Sequence, residues 1–259
     1  MKRHYYLLLI FVTLFTFNLK SQVDQSEEVR VVEHLGDTLP LDLTFVTEKF
    51  DTVTLRELIN KPTILSFVYF DCPGLCSPLL EGVGDVIRKS DMVLGKDYQV
   101  ITFSFNFRDT PEKAKEKKKR FVERYSADNP DGWIFLTTDS TTIYKITHAT
   151  GFITKAVGFD FIHPSAIIAV SPQGKITRYL YGITFLPMDV KLAIAEANEG
   201  KARPTIQKIM LMCYSYDQEN QRFGLDVTKI IGTVIAFFLL LFVIIYLVKP
   251  RKKNKNSEL

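Results

Sequence analysis

The chain has 259 residues, enough for one large domain or two small ones, and a formal net charge of +4. That charge sits at the ends: residues 1–21 and 249–259 hold eight of the 33 basic residues and one of the 29 acidic ones, which leaves 25 against 28 between them. The net-acidic remainder excludes the electrostatic footprint of a nucleic-acid-binding protein. Three cysteines is an odd number, so in an exported protein two can pair and the third needs its own account.

At the N-terminus, Lys2 and Arg3 precede an apolar run from Tyr5 to Phe17. This is a positive n-region followed by an h-region too short for a comfortable membrane span. Residues 1–21 therefore read as a signal peptide ending at Ser21. Leu19 and Lys20 make a poor small-residue cleavage site, and an uncleaved anchor is the alternative. Residues 22–38 are polar and read as a linker to a domain over 39–200. Thr54-Leu-Arg-Glu-Leu-Ile59 predicts a short helix, with Thr54 as its cap and Glu57 at the reciprocal position.

Ile64 to Phe70 is a continuous apolar run rich in strand formers, and Leu75 to Arg88 reads as a helix. Between them stand Asp71, Cys72 and the first residues up to Cys76. A buried strand that stops at a turn and opens a helix puts both thiols at a helix N-terminus, where N–H groups and the dipole favour thiolate. The thioredoxin redox motif has two residues between its cysteines; this pair has three. If the helix begins at Cys72, positions i and i+4 share a face, and both sulfurs can grip one soft ion such as Cu(I) or Zn(II). The pair suits metal at least as well as disulfide exchange.

Tyr98 to Phe105 is the next strand. Asp109-Thr-Pro-Glu112 reads as a cap, a first-turn proline and a first-turn acid for a helix running to about Tyr125. The basic run Lys113 to Arg120 on it reads as a solvated face. Trp133 to Leu136 is a short strand and Ser140 to Thr150 a helix. Ala166–Val170 and Ile176–Tyr181 are strands joined by the turn Ser171–Lys175, and Met188 to Ala197 is the closing helix. This order is α/β, in a thioredoxin-like arrangement with the cysteine pair after the first core strand and residues 140–150 as an insertion.

Residues 201–229 form a juxtamembrane segment. Ile230 to Val248 is 19 residues without a charge, close to the ~20 that cross a bilayer. Lys249, Arg251, Lys252, Lys253 and Lys255 follow, so the tail 249–259 is expected in the cytoplasm and the main domain outside it. Cys213, in the apolar run Ile209–Tyr216, reads as a buried, inert thiol.

Two thiolates need a further ligand to complete a copper or zinc site. His4 lies in the signal segment, and His34 and His148 read as ordinary polar residues. His163 sits in Phe159-Asp-Phe-Ile-His-Pro-Ser165, just before a strand. In thioredoxin-like folds the loop at this place faces the cysteine pair, often through a cis-proline, for which Pro164 is the candidate. On spacing alone, a loop histidine before a turn proline is the simpler reading.

Phe70-Asp-Cys-Pro-Gly-Leu-Cys-Ser-Pro78, Ser104-Phe-Asn-Phe-Arg-Asp-Thr-Pro111 and His163 ahead of a strand–Pro-Gln-Gly–strand hairpin change that weighting. Together they resemble the Sco/SenC family of membrane-anchored copper chaperones for cytochrome c oxidase, over about Leu39 to Ala197. Residues 201–225 resemble a bacterial subgroup with a C-terminal membrane helix. The resemblance implies copper, as Cu(I) or Cu(II), held by Cys72, Cys76 and His163, and the copper-bearing subunit of the oxidase as partner. It departs in three places. Many members carry an acid between the cysteines, where this chain has Pro73-Gly-Leu75, and many read Asp-Pro at Asn106-Phe107. The usual anchor is N-terminal.

Two functions follow. One is a periplasmic, membrane-tethered chaperone that hands copper to the binuclear centre of the oxidase. The other is a thiol–disulfide oxidoreductase, with Cys72 and Cys76 as its redox pair and a thiol reductase as a further partner. His163 favours the first, since simple exchange needs only two thiols.

Overall fold

The computed structural model describes residues 29–126 and 128–203, two short strands beyond them, and five helical positions between 235 and 242. The chain divides after Ala202 into two compact units. In the first, β1 (Arg30–Val31), β2 (Thr44–Thr47), β3 (Thr52–Thr54) and α1 (Leu55–Leu58) lead into β4 (Thr63–Val68) and α2 (Cys76–Lys89). β5 (Gln99–Ser104), α3 (Pro111–Tyr125), β6 (Trp133–Thr137) and α4 (Ser140–Ala149) follow. Then come β7 (Phe152–Ile153), a ribbon of β8 (Lys155–Val157) and β9 (Asp160–Ile162), the hairpin β10 (Ala166–Val170) and β11 (Ile176–Tyr181), and α5 (Pro187–Asn198).

Seven strands form one sheet in the order β11-β10-β4-β5-β6-β2-β3. The central β4, β5 and β6 are parallel, joined by α2 and α3 as crossovers. An antiparallel pair flanks them on each side. Every residue of β4 and β5 is buried, because both faces of the sheet are covered. The side chains divide by the strand period of two. Ile64, Val100 and Ile167 meet Val83, Val86, Ile87 and Val190 of the helical layer. Phe67 and Phe103 project from the opposite face and stack at 5.1 Å. Phe45 meets Phe103 edge-on, and Phe152 of β7 stacks on Phe67 at 4.9 Å. Each such ring contributes about 1.5–3 kcal/mol by leaving water.

The local signals act as their chemistry dictates. Thr54 and Glu57 form the full capping box at α1. Asp139 caps α4 by accepting from the N–H groups of Thr141 and Thr142. At α3 the cap is Thr110, not Asp109; the Asp109 carboxylate is buried and used elsewhere.

The basic face of α3 needs correction. Its buried stripe is Ala114, Lys117, Lys118, Phe121, Val122 and Tyr125, so two of the lysines expected in solvent lie in the core-facing seam. Lys118 Nζ bonds Glu48 Oε1 at 2.6 Å in a nearly dry ion pair, and Glu48 Oε2 accepts the Phe135 N–H. Within the stretch 22–38, the described part lies against this unit. β1 pairs with β7, and Gly36 N–H bonds Ile176 O. Gly151, at φ +63°, lets the two backbones meet; a Cβ there would lie 1.8 Å from Val32 O.

In the second unit, β12 (Tyr214–Asp217) and β13 (Arg222–Leu225) pair antiparallel. Ile235, Phe238, Leu239, Leu241 and Phe242 are helical and exposed. Among the described residues no helix is long and apolar enough to cross a membrane. The expected signal segment 1–21, Cys213 and most of the expected span 230–248 lie outside the described residues.

Candidate metal centre

β4 delivers the cysteines. It ends at Val68, and Tyr69 to Leu75 form the loop before α2. The helix begins at Cys76, with Leu75 as a cap that makes no side-chain bond. Cys72 is therefore not on the helix, as the i, i+4 argument requires, but in the turn ahead of it, where Pro73 and Gly74 are poor helix formers. The two sulfurs still converge, because the loop folds back over the helix start. Cys76 is fully buried and Cys72 half-buried.

β10 delivers the histidine. It runs antiparallel beside β4, with Ile167 opposite Ser66, so the residues just before β10 pass the end of β4 where the cysteine loop starts. This register brings His163 Nε2 to 3.3 Å from Cys76 Sγ. Ligand atoms of Cys72, Cys76 and His163 all lie within 4.8 Å of one another. The expected cis bond is absent: no described peptide is cis, and Pro164 serves instead through its carbonyl, 2.9 Å from His163 Nδ1. A carbonyl only accepts, so Nδ1 carries hydrogen and points away, and Nε2 is the ring nitrogen presented to the sulfurs. Phe105, Tyr69 and Phe152 wall the ring at centroid distances of 5.2, 6.1 and 6.5 Å. His34 Nδ1 lies 3.1 Å from Ala149 O and His148 Nδ1 3.0 Å from Tyr144 O; neither belongs to the cluster.

The two sulfurs are electrostatically unequal. The Cys76 thiol hydrogen-bonds Cys72 and holds it well below the usual thiol range, against the opposing effect of desolvation. His163 and the N–H groups of Cys76 and Gly74 add to this. Burial, then the neighbouring Cys72, pushes Cys76 up. The resting arrangement is a thiolate at Cys72 and a thiol at Cys76, whose sulfur also accepts the Tyr69 N–H at 3.5 Å.

Three further residues escape the sequence reading. Asp109 accepts from the Phe70 N–H at 2.8 Å and the Ser104 hydroxyl at 2.6 Å, pinning the end of β4 to the end of β5. Lys117 donates to Phe70 O at 2.9 Å and lies 3.4 Å from Ser77 Oγ, which puts a buried ammonium behind the thiols; burial lowers its pKa. Arg108 reaches the β8–β9 ribbon. The available signal for Lys117 was its spacing, three after Ala114 and four before Phe121, on a stripe whose other members apart from Lys118 are apolar or aromatic.

The donor set fits a soft ion. Ligands sharing one ion at Zn–S- or Cu–S-type distances lie about 3.5–4 Å apart, so the cluster needs only a small movement of the half-exposed Cys72 to close on a metal. The buried imidazole is fixed in its ligating tautomer by an outer hydrogen bond, as metal-binding histidines are.

A family model described as SCO1/SenC matches residues 36–194. The chain belongs to the SCO1/SenC family. A curated SCO1 protein homolog of Bacillus subtilis (strain 168) is 27% identical over 151 residues, covering 56% of this chain and 75% of that protein. A solved structure from Aquifex aeolicus VF5 is 33% identical with a TM-score of 0.57, covering 64% of this chain and 95% of its own. ScoI of Arabidopsis thaliana, solved with copper bound, has a TM-score of 0.50 at 19% identity, covering 64% of this chain and 98% of its own. That last likeness shows the fold, a mixed α/β thioredoxin-like one around a central sheet. SCO1/SenC membership and the expected element order agree on it.

Proposed function

We propose that this SCO1/SenC protein is a membrane-anchored copper-binding chaperone that serves the binuclear copper centre of cytochrome c oxidase. The convergence of Cys72, Cys76 and His163 within 4.8 Å, from two separate pieces of chain, carries this reading. Family membership supports it, as does the copper bound in the solved structure of ScoI of Arabidopsis thaliana, which shares the fold. Copper here is cargo. Two sulfurs hold Cu(I), and the imidazole extends the site to Cu(II). The exposed side of Cys72 is where a receiving protein's ligands can enter, so that metal passes by stepwise ligand exchange. The domain lies on the extracytoplasmic face and is tethered through residues 230–248, with the basic tail inside.

One observation favours a second reading. A half-exposed Cys72 thiolate beside a buried Cys76 thiol is the asymmetry of a thiol–disulfide oxidoreductase. Cys72 would attack a target disulfide and form a mixed disulfide. Cys76 would give up its proton and displace it, two electrons passing to the target as Cys72–Cys76 closes.

Mixing the copper-loaded full chain anaerobically with the metal-free copper-bearing oxidase subunit separates the two. Copper moving to the subunit, with Cys72 and Cys76 still reduced, is the expected result. Reduction of a subunit disulfide with no metal transfer would overturn the chaperone reading and establish the second.

A further inference from the structure

The metal centre joins two pieces of chain, and its imidazole comes on the weaker one. β8 and β9 pair only with each other, and their residues are mostly exposed. A two-stranded ribbon is marginal in water by itself. His163 follows directly, so whatever fixes the ribbon fixes Nε2. Phe161 is one attachment, lying 5.4 Å from the Tyr69 ring and 5.5 Å from Phe105. A second is the Asp160 carboxylate, which accepts from the Tyr69 hydroxyl at 3.3 Å, and Arg108 is a third. Its Nη2 donates to Phe159 O at 2.8 Å, in the turn between the two strands. The guanidinium carbon lies 5.6 Å from the Phe107 and Phe159 ring centres and 5.8 Å from that of Phe161.

Arg108 is itself held. Its backbone N–H and its Nε–H both donate to Asn106 Oδ1 at 3.1 Å. Buried Asn106 lies beside Asp109, with Nδ2 3.5 Å from Oδ1, and Asp109 Oδ2 accepts the Phe70 N–H. One polar node therefore reaches the strand end before Cys72 and, through Arg108, the ribbon before His163.

We propose that Arg108 is a positioning residue for the metal centre: it latches the 155–162 ribbon to the loop after β5 and thereby holds His163 against Cys76. This rests on the copper reading above. The role suits arginine, whose planar guanidinium stacks on rings while donating from its edge, whereas a lysine supplies one compact point charge.

The test uses the full chain and four variants: Arg108→Met, Arg108→Lys, His163→Ala and the Arg108→Met/His163→Ala double variant. Arg108→Met should lower Cu(II) affinity about tenfold, at the bottom of the range for outer-ligand changes because Arg108 is exposed. Cu(I) affinity should change less, since two thiolates alone satisfy that ion. Arg108→Lys should recover part of the loss. In the His163→Ala background, Arg108→Met should change neither affinity. An equal fall there means that Arg108 acts through the cysteine loop or general stability, and overturns the proposal. A metal-free arm stands apart from the copper reading. Amide hydrogen exchange over residues 156–162 should speed up in Arg108→Met while β10 stays protected. Unchanged ribbon exchange overturns the latch even where copper binds. If the wild-type chain binds no copper, the copper reading fails, and the exchange arm still decides the latch.

Discussion

Cys72 and Cys76 belong to one short motif but carry different charge, because one sits at the mouth of the site and the other under it. This has a pH consequence. Cys72 is depressed below the thiol range by the Cys76 thiol first, then by His163 and two N–H groups. A lowered pKa keeps the reactive thiolate present as pH falls, so alkylation of Cys72 in the metal-free, reduced chain should stay nearly flat from about pH 8 to pH 5. An ordinary thiol would slow about tenfold per pH unit below its pKa. Peptide mapping of the alkylated chain reads Cys72 separately from Cys76, which should stay unmodified while folded. A tenfold loss per unit at Cys72 would contradict the assignment. The pair itself was visible in sequence as soft ligands near a helix start. The inequality was not, because it depends on Cys76 packing beneath Tyr69 and beside His163.

Among the elements, α3 shows most directly how charge can hide a seam. Lys117 and Lys118 occupy stripe positions between Ala114 and Phe121, yet the surrounding run of basic residues makes the segment look solvated throughout. Lys118 is tolerated because Glu48 both pairs with it and accepts from β6. Glu48→Ala leaves an unpaired buried ammonium and an unsatisfied Phe135 N–H, and should cost about 3 kcal/mol in denaturant unfolding. The Glu48→Leu/Lys118→Met double variant should recover much of that loss, since an apolar pair carries no desolvation cost. A single variant within experimental error of wild type would show the pair to be dispensable. The longer strands were legible for the opposite reason: β4, β5, β10 and β11 are runs dominated by apolar strand formers, and the capping box at Thr54 names its own helix. The pairs β2–β3 and β8–β9 were not, because they are short, rich in threonine or exposed, and made by pairing rather than by pattern. The β8–β9 ribbon matters most of these, as it carries the chain to His163.

At the scale of the whole molecule, a covered parallel sheet acts as a jig. The end of β4 offers two sulfurs, the chain entering β10 offers an imidazole, and the register between those strands brings the three together. Family resemblance pointed to His163, whereas spacing alone favoured a plain loop residue, because the contact spans 87 positions of chain. The proposed orientation is tested by a reporter fused after Leu259 that is active only when exported. It should be silent, and activity would reverse the topology. The central claim is that three residues of this fold hold one copper. X-ray absorption at the copper edge of the copper-loaded full chain addresses it directly. Two sulfur ligands and one imidazole nitrogen are expected, with the nitrogen lost in His163→Ala and a sulfur lost in Cys72→Ser or Cys76→Ser. A copper bound only by oxygen and nitrogen, or a ligand set unchanged in His163→Ala, would contradict it.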